Sequence, residues 1–222
     1  MKKTKKRSFV VIGLGMFGGT VAPALAQMGD DVLGVDIDEG LVRKYANRLT
    51  HTAILDARDE VALREAGVGN FDVAIVAIGE NLEANILASM NVKALGIKEI
   101  WVKAQSLTHH KILLRIGVTK IIHPERDMGL QVAETLHTPY VTDYINLGSD
   151  QYLVSFILQE DMLTQGLDKF VSKNDSGACL VGAMRGDKFI DFTNIIDITT
   201  ETGDRLLAIG TKEQLRKLSG LL

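Results

Sequence analysis

The sequence predicts an α/β fold, a doubly wound parallel sheet, followed by a helix and a small α+β domain. Three observations carry that prediction. Residues 8–38 run from an apolar segment through Gly-x-Gly-x-x-Gly and an Ala-rich stretch to a second apolar segment that ends in an acid. Apolar runs and helix-length segments keep alternating to about His123, the pattern of strands joined by crossover helices. From Asp127 on, the pieces become shorter and turn-rich, as in an α+β module.

Taken in order, residues 9–12 read as a buried parallel strand, because nothing in Phe9-Val10-Val11-Ile12 alternates. The strand feeds Gly13, Gly15 and Gly18 and a helix to about Met28. A strand over 32–35 then delivers Asp36, about 20 residues beyond the glycines. Residues 39–49 predict a polar-faced helix, 51–55 a short strand, and 59–66 a helix closed by Gly67. Residues 73–78 are uninterrupted apolar, the mark of a central strand covered on both faces. A helix over 81–95 has Gly96 past its end, and 99–104 form a fifth strand. Residues 107–116 form a helix ending at Gly117, and 118–122 a sixth strand. An amphipathic helix over 128–136 breaks at Thr138-Pro139, and short segments follow at 141–147, 152–158 and 167–170. A strand over 179–184, a hairpin-like turn over 185–188, a strand over 205–209 and a helix over 212–222 complete the chain.

At 222 residues the chain can hold a medium domain beside a small one, and 46% hydrophobic residues suffice for both cores. A formal net charge of −3 leaves no electrostatic footprint for nucleic acid, and no apolar run is long enough to span a bilayer. The one cysteine, Cys179, excludes a disulfide framework or a thiolate metal site within a single chain; its apolar surroundings read as inert core. Residues 1–7 form a basic tail, and the apolar run ending in Ala24-Leu25-Ala26 makes it imitate a secretory signal peptide. The glycines and Pro23 spoil that helix, and cleavage after Ala26 would delete the first strand. The reading is a cytoplasmic chain whose basic tail is solvated or lies near an anionic membrane face.

Ligands of such sheets sit outside the carboxyl ends of the strands, where the strand order reverses. Gly13 permits the tight turn, Gly15 lets backbone approach a pyrophosphate, and Gly18 lets helix and strand pack closely. The helix N-terminus offers N–H groups to phosphates. Asp36 can accept from ribose hydroxyls and would repel a 2′-phosphate; Asp56 can accept from an adenine amino group, and Lys103 can approach phosphates as a point charge. Helix capping competes as the explanation of Asp56 and of Asn81. No catalytic set emerges. His109 and His110 are adjacent, so a helix turns them about 100° apart, and they read as surface residues. His123 precedes Pro124 with no orienting carboxylate except Glu125, and no GxSxG, HExxH or P-loop lysine occurs. The rival reading is a small NAD-dependent oxidoreductase with His123 or Lys103 as acid/base.

Several stretches resemble one family. Gly13-x-Gly15-x-Phe17-Gly18, Val35-Asp36-Ile37-Asp38-Glu39, Asp56-Ala57, Val76-Ala77-Ile78-Gly79, Trp101-Val102-Lys103-Ala104-Gln105 and His123-Pro124-Glu125-Arg126-Asp127-Met128-Gly129 are similar to RCK domains that regulate potassium transport. More loosely, Ala183–Asp187 and Gly203-Asp204-Arg205-Leu206 resemble the family's small C-terminal module. The resemblance implies a Rossmann lobe over 8–124, a crossover helix over 125–138 and a ligand-binding or dimerisation domain over 139–222. It implies no enzymatic activity, dimers assembled into an octameric ring, and a membrane-embedded potassium-translocating partner at the inner face of the membrane. The implied ligands are ATP or ADP, or alternatively NAD or NADH. Cyclic di-AMP binds the small domain in some relatives. The implied nucleotide set is Gly13, Gly15, Met16, Phe17, Gly18, Asp36, Ile37, Asp56, Ala57, Arg58, Ile78, Gly79, Lys103 and Glu125. Glu125 would also hold a divalent cation, magnesium or calcium. One departure bears on the ligand: many relatives place an arginine at Met16 that contacts the terminal phosphate. Its loss would cost about 1.5–3 kcal/mol of ATP binding unless Arg58 or Lys103 supplies the charge.

Overall fold

The structure is a computed structural model that describes residues 6–137, 141–158, 160, 177–192 and 200–219. It divides into two compact units, Met1–Pro124 and Glu125–Leu222. In the first unit, β1 (Ser8–Ile12), β2 (Asp31–Asp36), β3 (His51–Ile54), β4 (Val73–Val76), β5 (Glu99–Lys103) and β6 (Lys120–Ile122) form one parallel sheet. The order is β3-β2-β1-β4-β5-β6. The chain builds outward from β1 to β3, then returns to the other edge of β1 and continues to β6. The order therefore reverses between β1 and β4. Ile12 lies opposite both Val35 and Val76, so three strands end level at that reversal.

Helices cover both faces. On one, Val10, Ile12, Val35 and Val76 pack with Leu63, Ala88, Val92 and Leu113. On the other, Phe9, Val11, Val32 and Ile75 pack with Ala22, Val42 and Tyr45. The alternation along β1 and the burial of every residue of β4 explain why these strands are continuously apolar. Four of the unit's helices start on a side-chain cap. Asp38 opens α2 (Glu39–Tyr45), Asp59 opens α3 (Glu60–Glu65), Asn81 opens α4 (Leu82–Ala94) and Ser106 opens α5 (Leu107–Ile116). The remaining helix, α1 (Gly18–Gln27), has no side-chain cap and continues through Pro23. Proline has no N–H for the carbonyl four residues back, which here belongs to Gly19.

The second unit holds β7 (Val141–Gly148), β8 (Gln151–Ile157), β9 (Cys179–Arg185), β10 (Lys188–Asp191) and β11 (Arg205–Gly210) in one antiparallel sheet, ordered β10-β9-β11-β8-β7. Phe156, Leu206, Leu215 and Leu218 lie in its core, the last two from α7 (Lys212–Ser219). The expected turn after Arg185 is a hairpin that pairs Arg185 with Lys188. α6 (Pro124–His137) begins earlier than the apolar pattern suggested, because Pro124 suits a first helical position. The segment expected at 167–170 lies outside the described residues.

Two residues sit opposite to expectation. Cys179 is exposed: alternation along the chain turns Ala178 inward and Cys179 outward. His109 is fully buried, because it faces the sheet from α5 beside Leu113 while the polar neighbours that made it look superficial face out.

Candidate functional site

A cleft of about 450 Å³ opens at the carboxyl ends of β1 to β5, at the point of strand reversal. Among the predicted residues, Gly13, Gly15, Met16, Phe17, Asp36, Ile37, Asp56, Ala57, Arg58, Ile78, Gly79 and Lys103 line it. Gly18 lies behind the lining and Glu125 belongs to the first turn of α6, in the second unit.

The glycines differ in what they do. Gly13 has φ +95°, and a Cβ there would stand 3.0 Å from the Ala77 carbonyl carbon. At Gly18 a Cβ would fall 1.8 Å from the Gly13 carbonyl oxygen, so helix and strand meet with no room for a methyl. Gly15 is the reverse: nothing lies within 4 Å of a Cβ there. Two glycines close the loop and the third leaves its ceiling open. The N–H groups of Gly15, Met16 and Phe17 donate to no acceptor among the described residues, and α1 carries no acid in its first turn. Uncapped N–H groups at the positive end of a helix form an anion cradle.

Asp36 is wired to that loop. Its Oδ2 accepts from the Leu14 N–H at 2.6 Å and its Oδ1 from the Asp38 N–H at 2.9 Å, which fixes the carboxylate beside the glycine loop. Across the reversal, the buried Asn85 donates from Nδ2 to the Ile78 carbonyl (2.7 Å) and the Lys103 carbonyl (3.1 Å), tying the ends of β4 and β5. Lys103 Nζ lies 3.2 Å from where a Cβ on Gly79 would sit, so Gly79 makes room for it. Asn85, and Leu41, Leu55 and Ala84 in the lining, escaped the sequence reading. A polar residue at a buried helix position was the one signal for Asn85.

Asp56 does not cap a helix. Asp59 caps α3 instead, and the Asp56 carboxylate is held by Arg58: Nε at 3.0 and 2.9 Å, Nη2 at 2.6 Å, and the backbone N–H at 2.9 Å. The Arg58 side chain and then its backbone N–H hold the Asp56 carboxyl below the usual range. Capping does explain Asn81, whose side chain accepts from the Ala84 N–H at 2.9 Å.

The histidines form no catalytic pair with a carboxylate among the described contacts. His109 Nδ1 accepts from the Gln105 N–H, its Nε2 is buried without a partner, and burial, then the charge of His123, pushes its pKa down. His110 Nδ1 meets His123 Nε2 at 2.9 Å. The ring planes are 16° apart and the centres 5.1 Å, close to the nitrogen separation plus both ring radii. The rings thus meet edge to edge rather than face to face. Among the described residues, no group of three or more His, Cys, Asp or Glu side chains is arranged to hold a metal ion.

Strand order, glycine loop and the carboxylate at the end of β2 together define a Rossmann-type lobe. Residues 9–124 match the TrkA-N domain model. The chain is 46% identical to the Ktr system potassium uptake protein A of Bacillus subtilis over 71% of each chain. It is 38% identical to the Ktr system potassium uptake protein C of the same organism over 93% of each. The chain belongs to the TrkA-N family as an RCK subunit of the Ktr type, a family of potassium-uptake proteins and not of enzymes. The fold also matches the GsuK channel bound to NAD, with TM-score 0.65 and 13% identity over 100% of this chain and 40% of that one.

Proposed function

We propose that this chain is a cytosolic regulatory subunit that assembles as a ring of dimers and gates a membrane potassium transporter in response to adenine nucleotide. The observation that carries the reading is the open Gly15 ceiling beneath a helix N-terminus, with the Asp36 carboxylate held beside the loop by the Leu14 N–H. The residues fit a nucleotide. The loop N–H groups of Gly15, Met16 and Phe17 would hold phosphates, Asp36 the ribose, and Lys103 would add a charge on the phosphate side. Glu125 is the carboxylate assigned to magnesium or calcium. No helix among the described residues is long and apolar enough to cross a membrane. Transport itself, in this reading, belongs to a membrane-embedded partner.

Met16, 94% exposed on the glycine loop, brings no charge to a terminal phosphate. ADP, NAD and NADH therefore stand beside ATP as ligands, in keeping with the name of the NAD-bound channel of similar fold. Gating requires the bound nucleotide to favour one ring shape over another; a ligand with equal affinity for both shifts nothing. Calorimetry on nucleotide-free protein with ATP plus Mg²⁺ or Ca²⁺, ADP, NAD and NADH tests the first step, with Glu125→Gln removing any cation-dependent gain. Potassium uptake by cells carrying the partner subunit, with wild type or Asp36→Ala, tests the second. Uptake that ignores a binding-dead variant refutes gating.

A further inference from the structure

We propose that Thr20 is a positioning residue of the anion cradle: its hydroxyl holds the Met16 carbonyl back toward α1, and so turns the Phe17 N–H toward a bound phosphate. The proposal rests on the nucleotide-binding reading above and deepens it at the phosphate end of the cleft.

The crest of the glycine loop has little of its own to hold it. Gly15 has no side chain and open space where one would be, and the Met16 side chain is almost wholly exposed. Orientation therefore falls to the backbone carbonyls. In a trans peptide the C=O of one residue and the N–H of the next point in opposite directions, so whatever holds the carbonyl also aims the N–H. The Gly15 carbonyl accepts from the Gly19 N–H at 2.8 Å, which aims the Met16 N–H. Among the described residues the Met16 carbonyl takes no backbone N–H. The Thr20 N–H, four residues on, goes instead to the Phe17 carbonyl at 3.1 Å. The Thr20 hydroxyl fills the place, donating to the Met16 carbonyl at 2.7 Å.

Inside a helix, a hydroxyl that reaches the carbonyl four residues back competes with a backbone N–H. Here it competes with none, because Met16 precedes the helix, whose first residue is Gly18. Elsewhere the cleft is tied by neighbouring elements: Asn91 Nδ2, on α4, donates to the carbonyls of Ala57 (3.0 Å) and Arg58 (2.9 Å). At the phosphate wall the tie comes from α1 itself. Without it the Met16–Phe17 peptide is free to turn. A turned peptide withdraws one N–H from the phosphate and sets a carbonyl oxygen against the same negative charge.

The test is calorimetry on the full chain with ADP and with adenosine, which lacks the phosphates. Thr20→Val keeps the branched shape and removes the donor; because Thr20 is exposed, its thermal melt is expected to match wild type. Its ADP affinity is expected to fall about three- to tenfold while adenosine stays within about twofold, the loss of one hydrogen bond made only to phosphate. Thr20→Ala repeats the comparison in a better helix former. Thr20→Ser keeps the hydroxyl and is expected to bind ADP as wild type does. A Thr20→Val variant that binds ADP unchanged, or loses adenosine in equal measure, overturns the proposal alone, as does a Thr20→Ser variant as weak as Thr20→Val. So does a structure of the ADP complex in which Thr20 Oγ1 has left the Met16 carbonyl for a phosphate. Failure of wild type to bind ADP, ATP or NAD overturns the nucleotide-binding reading beneath it.

Discussion

Gly15→Ala and Gly18→Ala are the same chemical change three residues apart, and the structure predicts opposite outcomes for them. At Gly15 a methyl meets nothing within 4 Å, so the fold has no reason to object. If its backbone conformation suits alanine, the unfolded chain loses freedom and stability rises by about 0.4–1 kcal/mol. The methyl does fill the space a pyrophosphate would use. Losing one charge-assisted N–H contact costs about 1.5–3 kcal/mol, so nucleotide affinity falls roughly ten- to a hundredfold. At Gly18 the methyl would lie 1.8 Å from the Gly13 carbonyl oxygen, and neither backbone segment can yield cheaply. Overpacking of that kind costs about 1–3 kcal/mol, which in a chain of this size lowers Tm by about 2–4 °C per kcal/mol. Thermal melts and calorimetric titrations of the two variants separate the effects. If Gly15→Ala melts early, or binds nucleotide as wild type does, the division of labour among the glycines is wrong.

Other expectations follow from single contacts. Asp204 is buried and takes the Arg185 guanidinium at 2.9 and 2.8 Å. Arg185→Met leaves that carboxylate only the Glu201 N–H at 2.8 Å and, since Arg185 is partly exposed, costs about 3 kcal/mol, the lower end for a broken buried pair, read from the urea midpoint. His109 is buried and its folded pKa is depressed, whereas unfolded His titrates at about 6.5. Its contribution is therefore complete above that pH and is lost as pH falls below it, until the folded ring itself protonates. Urea midpoints should drop between about pH 7 and 5.5, ahead of most carboxylates, and His109→Gln should flatten that slope. The β7–β8 turn places Ser149 at φ +51° and Asp150 at φ +59°, a hairpin geometry that favours Asn-Gly. Replacing the pair with Asn-Gly should stabilise by about 0.5–1 kcal/mol, the left-handed strain relieved less the extra entropy glycine loses on folding, seen as a higher melting temperature.

The first unit was legible because its signals are local and redundant. The loop glycines stand between a strand and a helix, Asp59 and Asn81 announce helix starts, and Gly67 and Gly117 announce helix ends. What the sequence hid depends on which way a side chain turns. His109 and His110 are neighbours in sequence, yet one is core and the other reaches His123 across from α5. Cys179 has apolar neighbours, but its position in the alternation faces outward. The Asp56–Arg58 contact was hidden too, because nothing in a one-dimensional reading says that Arg58 folds back onto Asp56. Asn85 went unnoticed for a related reason: its partners are carbonyls at residues 78 and 103, and a carbonyl carries no sequence signal.

These ties bear on how the cleft can respond to a ligand. The Leu14–Asp36 bond, the Asn85 bridge from Ile78 to Lys103 and the Asn91 clamp on the turn after β3 hold three walls of the cleft before any ligand arrives. A wall already in place loses little entropy on binding, so interaction energy is not consumed in ordering it. Those walls also cannot distinguish one nucleotide from another by moving. Discrimination must fall to groups that lie outside the ties, and two of these lie at the mouth of the cleft. Met16 is almost wholly exposed, and the Arg58 fork is an exposed ion pair of the kind worth about 0–1 kcal/mol. A ligand can break so weak a contact at small cost, whereas breaking the Asp36 contact would leave a backbone N–H of the glycine loop without its acceptor. Variation at Met16 and Arg58 should therefore retune which nucleotide binds while leaving the fold intact, and variation at Asn85 or Asn91 should instead weaken all nucleotides together.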